Sequence, residues 1–373
     1  MTHDVAVTGM AWTTALGTGL DEVWGQLLGG ATGLRETEST LVLRNRLAAQ
    51  VPDPPADWSP TRRQVGLTAA TLRRAIEHAG APPDTLPVIG TSYGPHLDEP
   101  SGDLRRWAAE ATAAAGLTRP PLTVTSACSS GSDAIAAAAR LIREGAAEAC
   151  VCGGVDVLTP AKRLAHTALG TMSPTLLRSF DLRHDGTLLG EGAGFCVLER
   201  LDRARSRGAV VHAVMRGSGS SNDAATMTSP DLSGDGVLLA VRRALSDAGA
   251  SADDVAVVNA HGSGTPVNDH VETVVLSRMF TGRRPVAFAT KGAFGHTLGA
   301  TGALEAIAVI LALRESKVPP VYGLSEPAED FPLPLPVGGP SEIGEGLGIS
   351  VTLAFGGFNT CLVFARPVVG DVG

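Results

Sequence analysis

The segment Leu72-Arg-Arg-Ala-Ile-Glu-His-Ala-Gly-Ala-Pro-Pro-Asp84 reappears as Val241-Arg-Arg-Ala-Leu-Ser-Asp-Ala-Gly-Ala-Ser-Ala-Asp253. Each copy runs from a helix through an Ala-Gly stop into a hydrophobic strand, Leu86-Pro-Val-Ile89 in the first and Val255-Ala-Val-Val258 in the second. Ala134-Ile-Ala136 and Ala306-Ile-Ala308 correspond at a similar spacing, and Gly194-Phe-Cys-Val-Leu198 echoes Asn359-Thr-Cys-Leu-Val-Phe364. A unit this long is not a solenoid repeat; it implies two copies of one α/β half-domain. The expected arrangement is one bilobed unit, with residues 1–200 as the N-terminal half and 201–373 as the C-terminal half.

Composition sets the class. Hydrophobic residues make up 44% of the chain, with 45 glycines, which suits tightly packed helices on a buried sheet. No window approaches the ~18 consecutive apolar residues of a membrane span. The N-terminus lacks the basic-then-apolar pattern of a signal peptide. Five cysteines, an odd number and mostly in strand-like segments, suit a reducing cytoplasm rather than a disulfide framework. They have no CxxC spacing, so a zinc site is not expected. A net charge of −8 argues against nucleic acid as a partner.

One cysteine stands apart. Cys128 follows the β-branched run Leu122-Thr-Val-Thr125 and precedes the Ala-rich run that ends at Ala139, where a strand hands over to a helix. The free N–H groups and positive dipole end of that helix would favour the thiolate, the reactive form. A free cysteine is more commonly a small core hydrophobe. Cys150, Cys152, Cys196 and Cys361 read that way, each within an apolar strand.

Two later segments add imidazoles. Val255-Ala-Val-Val-Asn-Ala-His-Gly-Ser-Gly-Thr265 is a buried strand ending in His261 and a Gly/Ser/Thr loop. Val286-Ala-Phe-Ala-Thr-Lys-Gly-Ala-Phe-Gly-His-Thr-Leu-Gly-Ala300 brings Lys291 and His296 to a second strand-to-helix turn. Cysteine nucleophiles need imidazoles to handle protons or hold a carbonyl oxygen. Each of these histidines alone would read as structural; the cysteine and both histidines at such turns form a constellation.

At these residues the chain resembles the β-ketoacyl-acyl carrier protein synthases, the elongating condensing enzymes of fatty acid and polyketide synthesis. Thr125-Ser-Ala-Cys-Ser-Ser130 is similar to the family's nucleophile turn. Asn259-Ala-His-Gly-Ser-Gly-Thr-Pro266 is similar to its first histidine motif, and Thr290-Lys-Gly-Ala-Phe-Gly-His296 to its Lys-x4-His motif. Val5-Ala-Val-Thr-Gly-Met10, Phe180-Asp-Leu-Arg-His-Asp-Gly186, Gly190-Glu-Gly-Ala-Gly194 and Phe355-Gly-Gly-Phe-Asn359 resemble further landmarks, so the likeness covers nearly the whole chain. It implies the thiolase-like, layered α-β-α-β-α fold, with two pseudo-symmetric halves and the site at their seam.

The resemblance also implies roles. Cys128 would take an acyl chain from a carrier thioester, with the backbone N–H groups of Cys128 and Phe355 as oxyanion hole and Phe355 as a gate. His261 and His296 would hold the thioester oxygen of a malonyl group while carbon dioxide leaves. Two histidines match an elongating enzyme, since relatives that condense acetyl-CoA usually carry Asn at one of these positions. Lys291 would pair with Glu305, which stands in the apolar run Gly302-Ala-Leu-Glu-Ala-Ile-Ala-Val-Ile310 and needs a partner there. Asp269 and Glu272 match a structural acidic pair, and Ser263 and Thr265 match the hydroxyls that hold a pantetheine arm. The implied partners are an acyl carrier protein and a second ketosynthase-like subunit, identical or not. No cofactor or metal is implied beyond the carrier's phosphopantetheine. An acidic carrier would need a local basic patch, for which Arg62, Arg63, Lys162 and Arg163 are candidates, each also readable as a solvated surface charge.

The chain departs from the family pattern in places. The stretch from Tyr93 to Pro121 is shorter and lacks an apolar segment that helps build the dimer interface and acyl pocket. The gating loop reads Leu353-Ala-Phe-Gly-Gly357, where Ala354 replaces a glycine and removes backbone freedom beside Phe355. Ser263 stands where Thr is usual, and Phe358 is bulky where a small polar residue is common. These changes lean towards a specialised polyketide-type pathway. Three readings follow: a decarboxylating condensing enzyme, an acyltransferase passing the group from Cys128 to an alcohol or amine, and a non-catalytic chain-length partner. The presence of Cys128 weighs against the last.

Overall fold

A computed structural model describes residues 4–367 apart from 56, 101 and 102. Ten strands make the main sheet. In the first half these are β1 (Val5–Thr13), β2 (Leu86–Gly90), β3 (Leu122–Val124), β4 (Ala149–Asp156) and β5 (Gly192–Arg200). In the second they are β6 (Ala213–Asn222), β7 (Val255–Asn259), β8 (Val286–Phe288), β9 (Leu347–Ala354) and β10 (Phe358–Ala365). Across the sheet the order is β8-β7-β9-β10-β6-β1-β5-β4-β2-β3.

That order is the internal repeat made visible. Read inwards from each edge, the first half runs 3-2-4-5-1, and the second runs 8-7-9-10-6 in the same relative sequence. The strand senses recur too. β2 lies parallel to β3 and β4 while β5 is antiparallel to β4, and β7 lies parallel to β8 and β9 while β10 is antiparallel to β9. The halves join where β1 pairs with β6, at Val5–Val7 and Ala213–Met215.

The helices fall into layers. On the outside, α1 (Pro60–Ala79) covers strands of the first half and α4 (Asp235–Asp247) those of the second; α3 (Pro160–Ala168) follows β4 in the chain, and α5 (Pro266–Met279) packs on α4. Local chemistry sets their limits. Ser59 caps α1 by accepting from the Arg62 N–H, Pro60 opens it, and Gly80 closes it in the left-handed conformation. Gly249 takes the same conformation just after α4, so the repeated Ala-Gly does the same work twice.

Between the two halves lie α2 (Ser130–Arg143) and α6 (Thr301–Glu315), which pack on each other and touch strands of both halves. Every residue of α6 from Thr301 to Leu313 is buried, as a helix with no polar face requires. Their contact depends on glycine: a Cβ added at Gly302 would lie 1.9 Å from Ser132 Oγ, and one at Gly131 would lie 2.8 Å from the Gly299 carbonyl oxygen. Both central helices start at the seam after a single 3-10 turn, Ala127–Ser129 before α2 and Leu298–Ala300 before α6. Among the described residues no helix is long and apolar enough to cross a membrane.

The stretch from Tyr93 to Pro121 contains one short helix, Arg106–Ala114, packed on α1; Ser101 and Gly102 lie outside the described residues. Ala354 is extended at φ −139°, a conformation open to any residue. The loop's left-handed positions are Gly356 and Gly357, so the conformation seen here does not require glycine at position 354.

Candidate active site

Cys128 lies in the 3-10 turn that opens α2, held there by Ala127 in a left-handed conformation at φ 51°. Backbone strain of this kind, about 1–3 kcal/mol, persists only where the surroundings enforce it. Leu298 repeats the feature at φ 50° in the turn before α6. The two turns meet at the seam, and Cys128 Sγ lies 3.1 Å from His296 Nε2. The His261 ring sits edge-on to His296, centroids 5.3 Å apart and planes at 89°. All three residues line one cavity of about 290 Å³, together with Ser263, Thr265 and Phe355.

The histidine loops are anchored by buried groups. The Glu272 carboxylate accepts from the backbone N–H of His261 at 2.7 Å and of Gly262 at 2.6 Å. Asp269 accepts from the Gly264 N–H at 3.1 Å and the Phe180 N–H at 2.8 Å. Asn268 donates to both carboxylates. Lys291 Nζ donates to the His261 carbonyl and, at 2.7 Å, to Glu305 Oε1. His261 is thus held through both its N–H and its C=O. His296 is fixed likewise: its N–H donates to the Leu188 carbonyl at 2.7 Å, and its carbonyl accepts from the Gly190 N–H at 2.9 Å. A Cβ at Gly190 would lie 2.0 Å from the Phe294 carbonyl oxygen, so this approach requires glycine.

Charge states follow from burial. Both histidines lie well below the usual imidazole range, because burial disfavours the cation and the Lys291 ammonium adds to it. They are neutral rings with one N–H each. Burial raises the Glu305 carboxyl, and Lys291 opposes that rise. It likewise raises Asp269, and raises Glu272 to about 8 with Asp269 adding to the shift.

The cysteine departs from expectation. A helix terminus was expected to favour the thiolate, but burial pushes the Cys128 thiol up to about 12, against lowering contributions from Lys291 and the Phe355 backbone N–H. Burial thus favours the thiol over the thiolate and the neutral ring over the imidazolium. Cys150 and Cys196 are pushed up to about 12 by the same cause, so acidity does not single out Cys128. Position does: the other four cysteines are buried in strands, and Cys128 alone of the five lines the cavity.

Ser263 Oγ and Thr265 Oγ1 lie 2.9 Å apart on the cavity wall. Phe355 is half-buried and stacks on His166, centroids 5.8 Å apart, a histidine that nothing in the sequence had marked. His166 is pushed down to about 4 by burial, with Lys162 adding to it. Asp156 was also missed. It accepts from the Gly299 N–H at 2.7 Å and the Ser92 N–H at 2.9 Å, and so ties the turn after His296 to the end of β2.

The proposed basic patch is not one. Arg63 is buried against Glu191, Lys162 is buried against Asp156, and Arg163 is buried with its guanidinium donating to the Arg46 carbonyl. Only Arg62 is exposed, and it stacks over Trp58 at 3.7 Å. Buried cations need such partners; Glu191 and Arg46 lie far from Arg63 and Arg163 in sequence, whereas Asp156 stands close before Lys162. A larger open groove, about 1020 Å³ along Arg35–Leu41 and the start of α3, contains neither the cysteine nor the two histidines.

The chain matches the description "Beta-ketoacyl synthase, N-terminal domain" over residues 2–204 and "Beta-ketoacyl synthase, C-terminal domain" over residues 212–325. It is 32% identical to the 3-oxoacyl-[acyl-carrier-protein] synthase 2 of Mycobacterium tuberculosis (strain ATCC 25618 / H37Rv), over 97% of each chain. Among solved structures it is similar to a β-ketoacyl synthase from Burkholderia phymatum STM815, with 31% identity and a TM-score of 0.88 over 98% of this chain and 100% of that one. It is also similar to the ishigamide ketosynthase/chain length factor, with 29% identity and a TM-score of 0.89 over the same shares.

Proposed function

This chain belongs to the β-ketoacyl synthase family, and on that premise we propose how its own residues carry out a decarboxylative Claisen condensation between a Cys128-bound acyl chain and malonyl-acyl carrier protein. It is an acyltransferase that forms a carbon–carbon bond. The observation that carries the residue assignment is the meeting of Cys128, His261 and His296 at one cavity, with Cys128 Sγ 3.1 Å from His296 Nε2.

In loading, the thiol proton moves to His296 Nε2 and the sulfur attacks the carrier thioester. The N–H groups of Cys128 and Phe355 hold the oxyanion, the carrier's C–S bond breaks, and the carrier thiolate takes the proton from Nε2. A malonyl thioester then enters, its arm against Ser263 and Thr265. Its oxygen accepts from the N–H groups of His261 and His296. The bond to the carboxylate breaks, carbon dioxide leaves and the electron pair becomes the enolate. The enolate carbon attacks the acyl group on Cys128, the C–S bond breaks, and the sulfur regains a proton from water. Neutral imidazoles suit this work, since they donate a hydrogen bond to the enolate oxygen without protonating its carbon.

Lys291 and Glu305 position His261, and Asp269 and Glu272 hold its loop. No resident cofactor takes part, since both substrates arrive on phosphopantetheine. The carrier is an acyl carrier protein, in line with the substrate named for the mycobacterial relative. The partner is a second ketosynthase-like subunit, of the same or another kind, as in the ketosynthase/chain length factor neighbour. We place the enzyme in the cytoplasm and in a polyketide or specialised fatty acid pathway, with residues 1–200 and 201–373 as its halves. Intact-mass analysis of the enzyme with acyl-carrier and malonyl-carrier tests the reading. Acyl-enzyme followed by ketoacyl-carrier is expected. Acyl-enzyme that passes its acyl group to an alcohol or amine, with no ketoacyl product, would overturn it in favour of the simple acyltransferase; no acyl-enzyme at all would leave the non-catalytic partner.

A further inference from the structure

His166 lines the same cavity as the nucleophile and has no part in the roles assigned above. It stands on α3, is 8% exposed, and stacks its ring on Phe355 with the planes 18° apart. Its protonation follows from its neighbours. Burial holds it well below the usual imidazole range and Lys162 adds to the shift, so the ring is uncharged near neutral pH. Thr171 Oγ1 donates to the His166 carbonyl at 3.2 Å, which uses the single hydrogen of that hydroxyl, and lies 2.9 Å from His166 Nδ1. Towards Nδ1 it therefore accepts. The ring carries its hydrogen on Nδ1, and Nε2 is a bare acceptor. Nε2 has no hydrogen-bond partner among the described residues and is open to the cavity rather than sealed in the interior.

The side chains packed on the nucleophile are otherwise apolar. Leu189 and Leu298 pack on Cys128, with Leu158 and Ala354 against them. An acyl carbonyl held by the N–H groups of Cys128 and Phe355 leads its next carbons past the Phe355–His166 stack. A methylene at the β-carbon would cover Nε2 and leave it unpaired. A ketone there would bring only further lone pairs. A hydroxyl would donate to Nε2 and satisfy it.

We propose that His166 is a specificity-determining residue whose Nε2 lone pair selects acyl groups bearing a β-hydroxyl for loading on Cys128. The source of that hydroxyl rests on the condensing reading. Condensation leaves a ketone on the β-carbon of the chain it extends, so a carbonyl reduction that is not followed by dehydration must supply the chain that Cys128 takes. The contact itself transfers no proton: the hydroxyl keeps its hydrogen and Nε2 accepts it.

Loading of the full-length enzyme from carriers bearing hexanoyl, β-oxohexanoyl and either enantiomer of β-hydroxyhexanoyl, followed by intact mass, tests this. Wild type should load one β-hydroxyhexanoyl enantiomer faster than β-oxohexanoyl, and faster than hexanoyl by about ten-fold or more, the scale of leaving one buried acceptor unpaired. His166→Phe keeps an aromatic ring against Phe355 and removes the acceptor, and should bring the hexanoyl and β-hydroxyhexanoyl rates to within about three-fold of each other. His166→Gln, which keeps a side-chain acceptor, should retain the order of preference. Wild-type enzyme that loads hexanoyl or β-oxohexanoyl as fast as β-hydroxyhexanoyl would overturn the proposal, and that comparison needs no variant. A preference that survives in His166→Phe would overturn it too. So would a His166→Phe protein that melts as wild type does but slows every acyl group and malonyl-carrier decarboxylation alike, since the ring would then serve the pantetheine arm. If loaded wild type gives no ketoacyl product with malonyl-carrier, the condensing reading fails, while the loading ratio still decides the role of His166.

Discussion

Lys291 Nζ donates to Glu305 Oε1 at 2.7 Å, with each side chain 1% exposed. The same ammonium donates to the His261 carbonyl, so one buried cation ties the interior of α6 to the loop that holds the first histidine. The pair therefore couples the position of an imidazole to the packing of the central helix layer.

Removing either partner strands the other's charge in the interior, at a cost of roughly 3–5 kcal/mol. Lys291→Ala and Glu305→Ala should each lower stability and condensation strongly, and the double variant should lose much less than the sum. Melting curves and condensation rates for the four proteins check this, and a coupling near zero would remove the pair as a unit.

Only Cys128 should carry an acyl group. Cys128→Ala should show no acyl-enzyme by intact mass, while single changes at Cys150, Cys152, Cys196 and Cys361 should leave loading in place. Acylation that persists in Cys128→Ala would place the nucleophile elsewhere.

His261→Ala and His296→Ala should each retain some loading and lose malonyl-carrier decarboxylation by about two orders of magnitude or more, the scale of a lost oxyanion donor. Carbon dioxide release gives the readout. A wild-type rate in either variant would take that residue out of the enolate site.

The resting thiol should stay protonated well above neutrality. Burial raises Cys128 to about 12 from an ordinary value of 9.0. A raised thiol holds its proton until pH approaches that value, so the thiolate absorbance of wild type minus Cys128→Ala should show no step between neutrality and about pH 10. A step in that interval would mean that the helix terminus outweighs burial.

Much of the fold was legible because duplication is written in the order of residues. Two helix–stop–strand segments predicted two like half-domains, and the strand order recurs in both. Cys128, His261, Lys291 and His296 were legible as well, because strand-to-helix turns leave a local signature. The landmarks around Phe180 and Gly190 could be seen in the sequence but not explained. They are the backbone that the His261 and His296 loops rest on.

Local order in the chain was enough for the duplicated α/β plan and for the residue types that reach the seam. Only the tertiary structure decided what surrounds them. Arg63 and Lys162 read as surface charges until the fold brought Glu191 and Asp156 against them. The protonation of Cys128, and the hydroxyl of Thr301 behind His296, belong to the same class. The physical reason is that desolvation and hydrogen bonding act through space, between residues whose separation along the chain says nothing of their distance in the folded protein.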